Sequence, residues 1–126
     1  MRSISRRGED QGSAAVEFAL VLPVLVLILF GIIDFGRMLN ARITLSEAAH
    51  EGARAAAILD DQGEAEAVIA AVMGSTPYTV VRIDVCNGSF GGNATVTLTH
   101  AFGFTTPFVG GDNGLVLTST AVVPCL

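Results

Sequence analysis

A glutamate stands at the mouth of a long apolar run. The segment reads Gly12-Ser13-Ala14-Ala15-Val16-Glu17-Phe18 and then stays apolar to Ile33, with Pro23 and Gly31 the only interruptions. An ionised side chain beside that much hydrocarbon is costly, by roughly 2.5–3.5 kcal/mol at a bilayer centre and less near the interface. The neighbouring residues supply a chemistry that would use it. Glycine lets an extended backbone approach closely, as a protease cleft requires. Cleavage after Gly12 would expose the amine of Ser13 at the membrane interface. On a helix Glu17 lies about one turn from Ser13, so its carboxylate would neutralise that amine or the one on a neighbouring subunit. Gly8, the other glycine of the N-terminal tail, has Ser13 at the corresponding position and does not fit.

The elements that must position these residues follow from hydrophobic period. Ala14 to Ile33 is about 20 residues, the length that spans a ~30 Å hydrocarbon core. The chain has 126 residues, 51% hydrophobic, with a mean hydropathy of +0.59. The rest is too short to bury such a helix in a soluble core, so the run reads as a membrane span. Arg2, Arg6 and Arg7 precede it and favour a cytoplasmic N-terminus. A cleaved secretory signal fits less well, because the run is longer than a usual h-region and no A-x-A pattern follows.

Beyond the span the pattern stays helical to about Ile58. Phe35, Met38, Leu39, Leu45, Ala49, Gly52, Ala53 and Ala56 recur at three- and four-residue steps. Asp34, Arg37, Arg42, Glu47, Glu51 and Arg54 fill much of the other side. Glu51 and Arg54 are spaced for an i,i+3 pair. One helix from about Ala14 to Ile58 is therefore predicted. Its small-residue face, Ala49, Gly52, Ala53 and Ala56 with Ala48, suits close helix packing against other subunits or a seat for the chain's own sheet. Asp60-Asp61-Gln62-Gly63 reads as a break, and Glu64 to Met73 as a short second helix stopped by Gly74. From Tyr78 the period changes to two. Strands are predicted at Tyr78 to Val85, with Thr79, Val81, Ile83 and Val85 on one face, at Ala94 to His100, and at Leu115 to Val123, with a glycine- and threonine-rich loop at Gly103 to Gly114.

The expected class is thus α+β. Residues 1–12 form a leader, 13–33 a transmembrane helix, 34–59 an amphipathic extension of that helix, and 60–126 a small extracytoplasmic domain with about three strands. Cys86 and Cys125, in a membrane-anchored chain, read as a disulfide in an oxidising compartment. A simple meander would hold the outer strands about 9.5 Å apart, beyond the ~7 Å Cα limit for a disulfide. Either the outer strands are adjacent, or Pro124-Cys125-Leu126 curls off the sheet end to reach Cys86.

Several function classes find no support. The net charge is −5 and no basic stripe carries interleaved aromatics, which argues against nucleic acid. The acidic residues around Asp60, Asp61, Glu64 and Glu66 read as a solvated face. His50 and His100 are isolated, and no nucleophile–base pair or phosphate loop is visible. No catalysis, cofactor, metal or small-molecule substrate is expected.

The N-terminal motifs resemble a known family. Gly12 with Ser13-Ala14-Ala15-Val16-Glu17-Phe18 is similar to the prepilin peptidase site of the tight-adherence (Tad, or Flp) branch of type IV pili. Ala19-Leu20-Val21-Leu22-Pro23, Phe30-Gly31-Ile32-Ile33-Asp34-Phe35-Gly36-Arg37 and Ala48-Ala49-His50-Glu51-Gly52-Ala53-Arg54-Ala55-Ala56 resemble the TadE-like pseudopilins. The resemblance covers roughly Gly12 to Ala57 and implies a pilin-like fold. It implies a minor pilin-like subunit whose leader a prepilin peptidase removes between Gly12 and Ser13. Glu17 and Phe18 would then act in recognition and assembly. The implied partners are other pilins or pseudopilins, the Tad assembly platform and the bacterial cytoplasmic membrane, with incorporation into a pilus for adherence. Flp major pilins are much shorter than this chain, which favours the minor role. The competing expectation is an uncleaved single-span envelope protein whose β domain binds a partner or ligand.

Overall fold

Without a strong breaker between the apolar run and Asp60, the chain is free to propagate one helix, and it does so further than its pattern suggests. The computed structural model describes residues 7–106 and 114–126, with side chains from residue 11 on. The first six residues of the expected leader and residues 107–113 of the glycine–threonine loop lie outside that description. Helix α1 runs Arg7–Leu59, 53 residues, or ~80 Å at 1.5 Å per residue. It starts before the expected Ala14 and passes through Gly12. A glycine costs a helix interior only about 1 kcal/mol relative to alanine, too little to end so long a helix. Pro23 also lies inside α1, where it forgoes one backbone hydrogen bond.

At Asp60 the backbone takes a left-handed turn (φ 53°) and helix α2, Gln62–Met73, folds back along α1. The Asp61 carboxylate caps α2 by accepting from the Glu64 N–H at 2.9 Å, which satisfies one of the open donors of the first turn. Gly74 ends it, with φ 58° and its N–H donated to the Ala70 carbonyl. Three strands follow: β1, Thr79–Asp84; β2, Asn93–Phe102; and β3, Leu115–Pro124. They form an antiparallel meander in the order β1-β2-β3. From Asn93↔Pro124 to Phe102↔Leu115 the β2–β3 register is unbroken.

The β1–β2 ladder contains a bulge, and it corrects the expected facing of β1. Val80 pairs with Leu98 and Arg82 with Thr97, which leaves Val81 as the extra residue. Val80 and Ile83 therefore share the inward face with Leu98 and Val96, while Val81 is 60% exposed. Strict alternation puts Val81 on one face with Ile83; a bulge separates them and turns over every side chain before it.

The meander order decides how the cysteines meet. After β3 the chain curls across the end of β2, the Cys125 N–H bonds the Gly92 carbonyl at 2.9 Å, and a Cys86–Cys125 disulfide forms with Cα atoms 5.8 Å apart. In the chain-entropy model a loop of 39 residues closed in this way contributes about 4 kcal/mol.

The core lies between α1, α2 and the inner face of the sheet. Leu45, Ala48, Ala49 and Ala53 meet Ile69 and Met73 of α2 and Val96, Leu98, Phe102 and Leu117 of the sheet. Ala56 packs with Ala65 and Ala94 in a smaller cluster above. The small-residue face of α1 is thus occupied by the chain's own α2 and sheet. Gly52 shows how close the approach is: an added Cβ would sit 2.5 Å from Cγ1 and 2.7 Å from Cδ1 of the fully buried Ile69. Gly52→Ala is expected to destabilise the domain by about 1–2 kcal/mol, the overpacking penalty less the helix-propensity gain. Combining it with Ile69→Val should cost less than the sum of the two single changes. Denaturant unfolding of the full chain in detergent, over all four members of the cycle, measures this.

Candidate functional site

Among the described residues nothing packs on the N-terminal half of α1. Gly12, Ser13, Glu17 and Phe18 lie on exposed helical backbone, with Ser13 and Glu17 one turn apart. A Cβ added at Gly12 would meet no atom within 4 Å. From Val16 to Ile33 every large apolar side chain is exposed. This helix is long and apolar enough to cross a membrane, and the rest of the chain covers none of its apolar window.

The exposed apolar surface does not stop at Ile33. Phe35, Leu39 and Ile43 are 61%, 46% and 57% exposed and continue the side of α1 that carries Ile32, at steps of three and four. The expected single face is therefore two. Met38, Leu45, Ala49, Gly52, Ala53 and Ala56, joined by Ala41 and Ala48, lie under the domain. Phe35 and Leu39 belong with Ile43 on a second stripe about a third of a turn away. Both stripes use three- and four-residue steps, so periodicity merges them. The expected Glu51–Arg54 ion pair is absent from the described residues. Arg54 instead lines, with His50 and Ile58, a groove of about 600 Å³ between α1 and Val122, Pro124 and Leu126.

Where the bare half meets the domain, a contact with no local signal in the sequence organises both. The Asp34 side chain is buried. It accepts from the Thr105 N–H at 2.9 and 3.0 Å, the Thr106 N–H at 2.8 Å and the Thr106 hydroxyl at 2.6 Å. Arg37 donates to it at 3.3 Å and to the Thr105 hydroxyl at 2.6 Å, with its guanidinium carbon 5.5 Å from the centre of the Phe102 ring. The Thr106 hydroxyl bond is the main reason the Asp34 carboxyl is held well below the usual carboxylate range. Burial opposes it, and the backbone donors of Thr105 and Thr106 reinforce it.

Asp60 does similar work at the other end of the sheet. Its two oxygens accept from the N–H groups of Asn87 and Gly88, at 2.5 and 2.8 Å, in the β1–β2 loop. Asp60 and Asp61, read as part of a solvated acidic face, are thus a clamp and a helix cap. The signal for Asp61 was present, since an acid three residues before Glu64 fits a capping pattern. No local signal marks the partners of Asp34 or Asp60. His50 is exposed, and His100 Nδ1 lies 2.5 Å from the Pro77 carbonyl. Among the described residues no group of three His, Cys, Asp or Glu is placed to hold a metal ion.

Comparison with known proteins bears on the N-terminal half. A family model described as TadE-like protein matches residues 12–54. The match opens on Gly12, runs through the bare helix and Asp34, and ends within the packed part of α1. It is consistent with a TadE-like protein of the Tad pilus system and leaves α2 and the sheet unmatched. No curated protein and no solved structure matches the chain.

The Asp34 contact makes a pH-dependent prediction. A lowered folded-state pKa means that the contact's full contribution is present above the unfolded value of ~3.9 and is lost as pH falls from there through the folded pKa. In the folded protein the Asp34 carboxylate should therefore stay ionised below about pH 4, where exposed aspartates protonate. The pH dependence of its carboxyl carbon NMR signal measures this.

Proposed function

We propose, from the TadE-like segment that opens at Gly12, that the chain is a minor pilin-like subunit of a Tad pilus. In this reading it is anchored in the bacterial cytoplasmic membrane by residues 13–33, with the N-terminus inside and residues 34–126 outside. A prepilin peptidase cuts between Gly12 and Ser13. The mature helix then packs with other pilins or pseudopilins on the Tad assembly platform, in pili used for adherence.

The observation that carries this reading is the apolar stripe that outlasts the span. Ile43 lies ten residues beyond Ile33, ~15 Å further along α1, while the headgroup layer adds only about 5–8 Å to each side of the hydrocarbon core. Lipid therefore leaves Leu39 and Ile43 uncovered. The chain's own domain sits on another side of the helix. An apolar helix stripe continuous with a membrane span suits the helix of a neighbouring subunit. Gly36 lies beside the stripe, where a Cβ would meet nothing within 4 Å.

Glu17 fits the same reading. It makes no ion pair or hydrogen bond among the described residues, so its carboxylate is free to meet the Ser13 amine that cleavage creates.

Two variants test the reading in the native host. Gly12→Ala should keep its leader, seen as an unprocessed mass, and open space around Gly12 makes misfolding an unsuitable explanation; normal processing would remove the peptidase step. Glu17→Ala should be processed, with Ser13 first on N-terminal sequencing, yet fail in pilus biogenesis; unchanged piliation would remove the assembly role of Glu17. An intact Met1 on the unaltered chain would favour the uncleaved envelope anchor instead.

A further inference from the structure

The end of the sheet nearest the span is held at a fixed height on α1. Asp34 is the first residue after the apolar run, and its carboxylate binds the backbone of Thr105 and Thr106 directly. The segment leaving β2 therefore cannot stand clear of the hydrocarbon boundary. Two aromatic side chains gather there. Phe35 is exposed. Phe104, half-buried, meets the edge of Phe102 with ring centroids 5.3 Å apart. Between Phe104 and the bare helix is a cleft of about 160 Å³ lined by Gly31, Phe35 and Met38 as well as Asp34 and Thr106. On the other flank, Arg37 spends Nη1 on Asp34 and Thr105. Its side chain is 52% exposed, and its Nε and Nη2 have no partner among the described residues.

We propose that this end of the domain is a membrane-contacting collar that rests in the headgroup layer of the outer leaflet. Phe35, Phe104 and the cleft beside Gly31 lie at the level of the glycerol and first methylenes, where apolar side chains of a surface-lying face bury into the headgroup–acyl boundary. The free edge of the Arg37 guanidinium faces the lipid phosphates, a geometry suited to its donors. The occupant is lipid because the collar is continuous with the bare span and Asp34 sets its height at the span's end. The opposite end of the sheet, with Phe90 in the β1–β2 loop, then stands about 30 Å or more further out, the length of the ten-residue β2. This proposal rests on the membrane-anchored reading above.

The chain contains no tryptophan, so a single introduced one reports depth unambiguously. The full-length protein would be reconstituted in phosphatidylcholine–phosphatidylglycerol liposomes, without bromine and with acyl chains brominated either near the headgroup end or near the bilayer centre, the second set reading the mid-span position. Four variants are compared: Val24→Trp in the span, Phe104→Trp and Gly103→Trp in the collar, and Phe90→Trp in the distal loop. Gly103 is chosen because a Cβ there meets nothing within 4 Å, which protects the test if Phe104→Trp disturbs the Phe102 contact. Formation of the Cys86–Cys125 disulfide checks folding in each.

The expected result is brominated-lipid quenching of Val24→Trp, Phe104→Trp and Gly103→Trp, with Phe90→Trp unchanged. Quenching of Val24→Trp alone would overturn the collar while leaving the anchor intact, and would indicate protein or water at that level. Absence of quenching at Val24→Trp would overturn the anchor itself. Equal quenching at all four sites would overturn the upright placement.

Discussion

The carboxylate of Asp34 sets where everything else on α1 can sit. Burial of apolar surface drives the domain onto the helix but has no direction, and the face it covers is a repeat of small residues. A slip of one turn, ~5.4 Å, would exchange one alanine seat for another at little loss of area. Hydrogen bonds to a charged carboxylate do not slip so easily, because a displaced donor is left unpaired in a buried site. Asp34 engages Thr105 and Thr106, and Asp60 engages Asn87 and Gly88. The two aspartates are ~39 Å apart along the helix, and the ten residues of β2 span ~33 Å, with a loop at each end to make up the difference. The sheet is pinned at both ends to a rod that would otherwise offer it several registers.

That pinning divides one helix between different surroundings. On the domain side of Asp34, Gly52 and its neighbouring alanines admit Ile69 so closely that no side chain fits between them. On the other side, Gly12 and Gly31 face open space, and the apolar side chains from Val16 to Ile33 are bare. The same residue type serves opposite purposes: at Gly52 the missing side chain is filled from within the chain, while in the bare half the helix surface is left for whatever surrounds it. The stripe through Phe35, Leu39 and Ile43 belongs to this second category although it lies beyond the apolar run. Beyond Phe35, at Leu39 and Ile43, it is the part of the helix for which neither the described fold nor, in the membrane-anchored reading, a bilayer supplies a cover.

Much of the architecture was legible because it is periodic. The change from helical steps to alternation near Tyr78 located the helix-to-sheet transition, and glycine and proline marked the breaks around Gly74 and Pro77. What escaped depends on contacts between distant residues. The bulge at Val81 is decided by the pairing of Val80 with Leu98 and Ile83 with Val96. Asp34 meets partners 71 and 72 residues away, and Asp60 partners 27 and 28 away; an isolated acid in a helix or at its end looks the same whether it is solvated or clamped. Two helical stripes with the same step sizes were merged into one. The Gly12–Phe18 reading rests on residue type, spacing and a family resemblance, and its proposed chemistry involves another molecule, so the fold holds no internal contact for it.

Two carboxylates bracket the apolar run, and their contrast carries the functional argument. Asp34 spends both oxygens on its own chain, so it is a structural group with little left to offer a partner. Glu17 has no such partner among the described residues and is exposed. If Ala14 to Ile33 fills the ~30 Å core, Glu17 lies about one helical turn inside the boundary, ~5 Å deep. A charge there is costly, and no ion pair or hydrogen bond among the described residues offsets it. In the proposed processing, compensation would come from an amine at Ser13, which exists only once the bond after Gly12 is cut, or from the same amine on a neighbour. Among the described residues the acid at the Asp34 end of the run is satisfied and the one at the Glu17 end is open, the pattern the proposed assembly calls for, with one carboxylate building the subunit and the other joining it to the next.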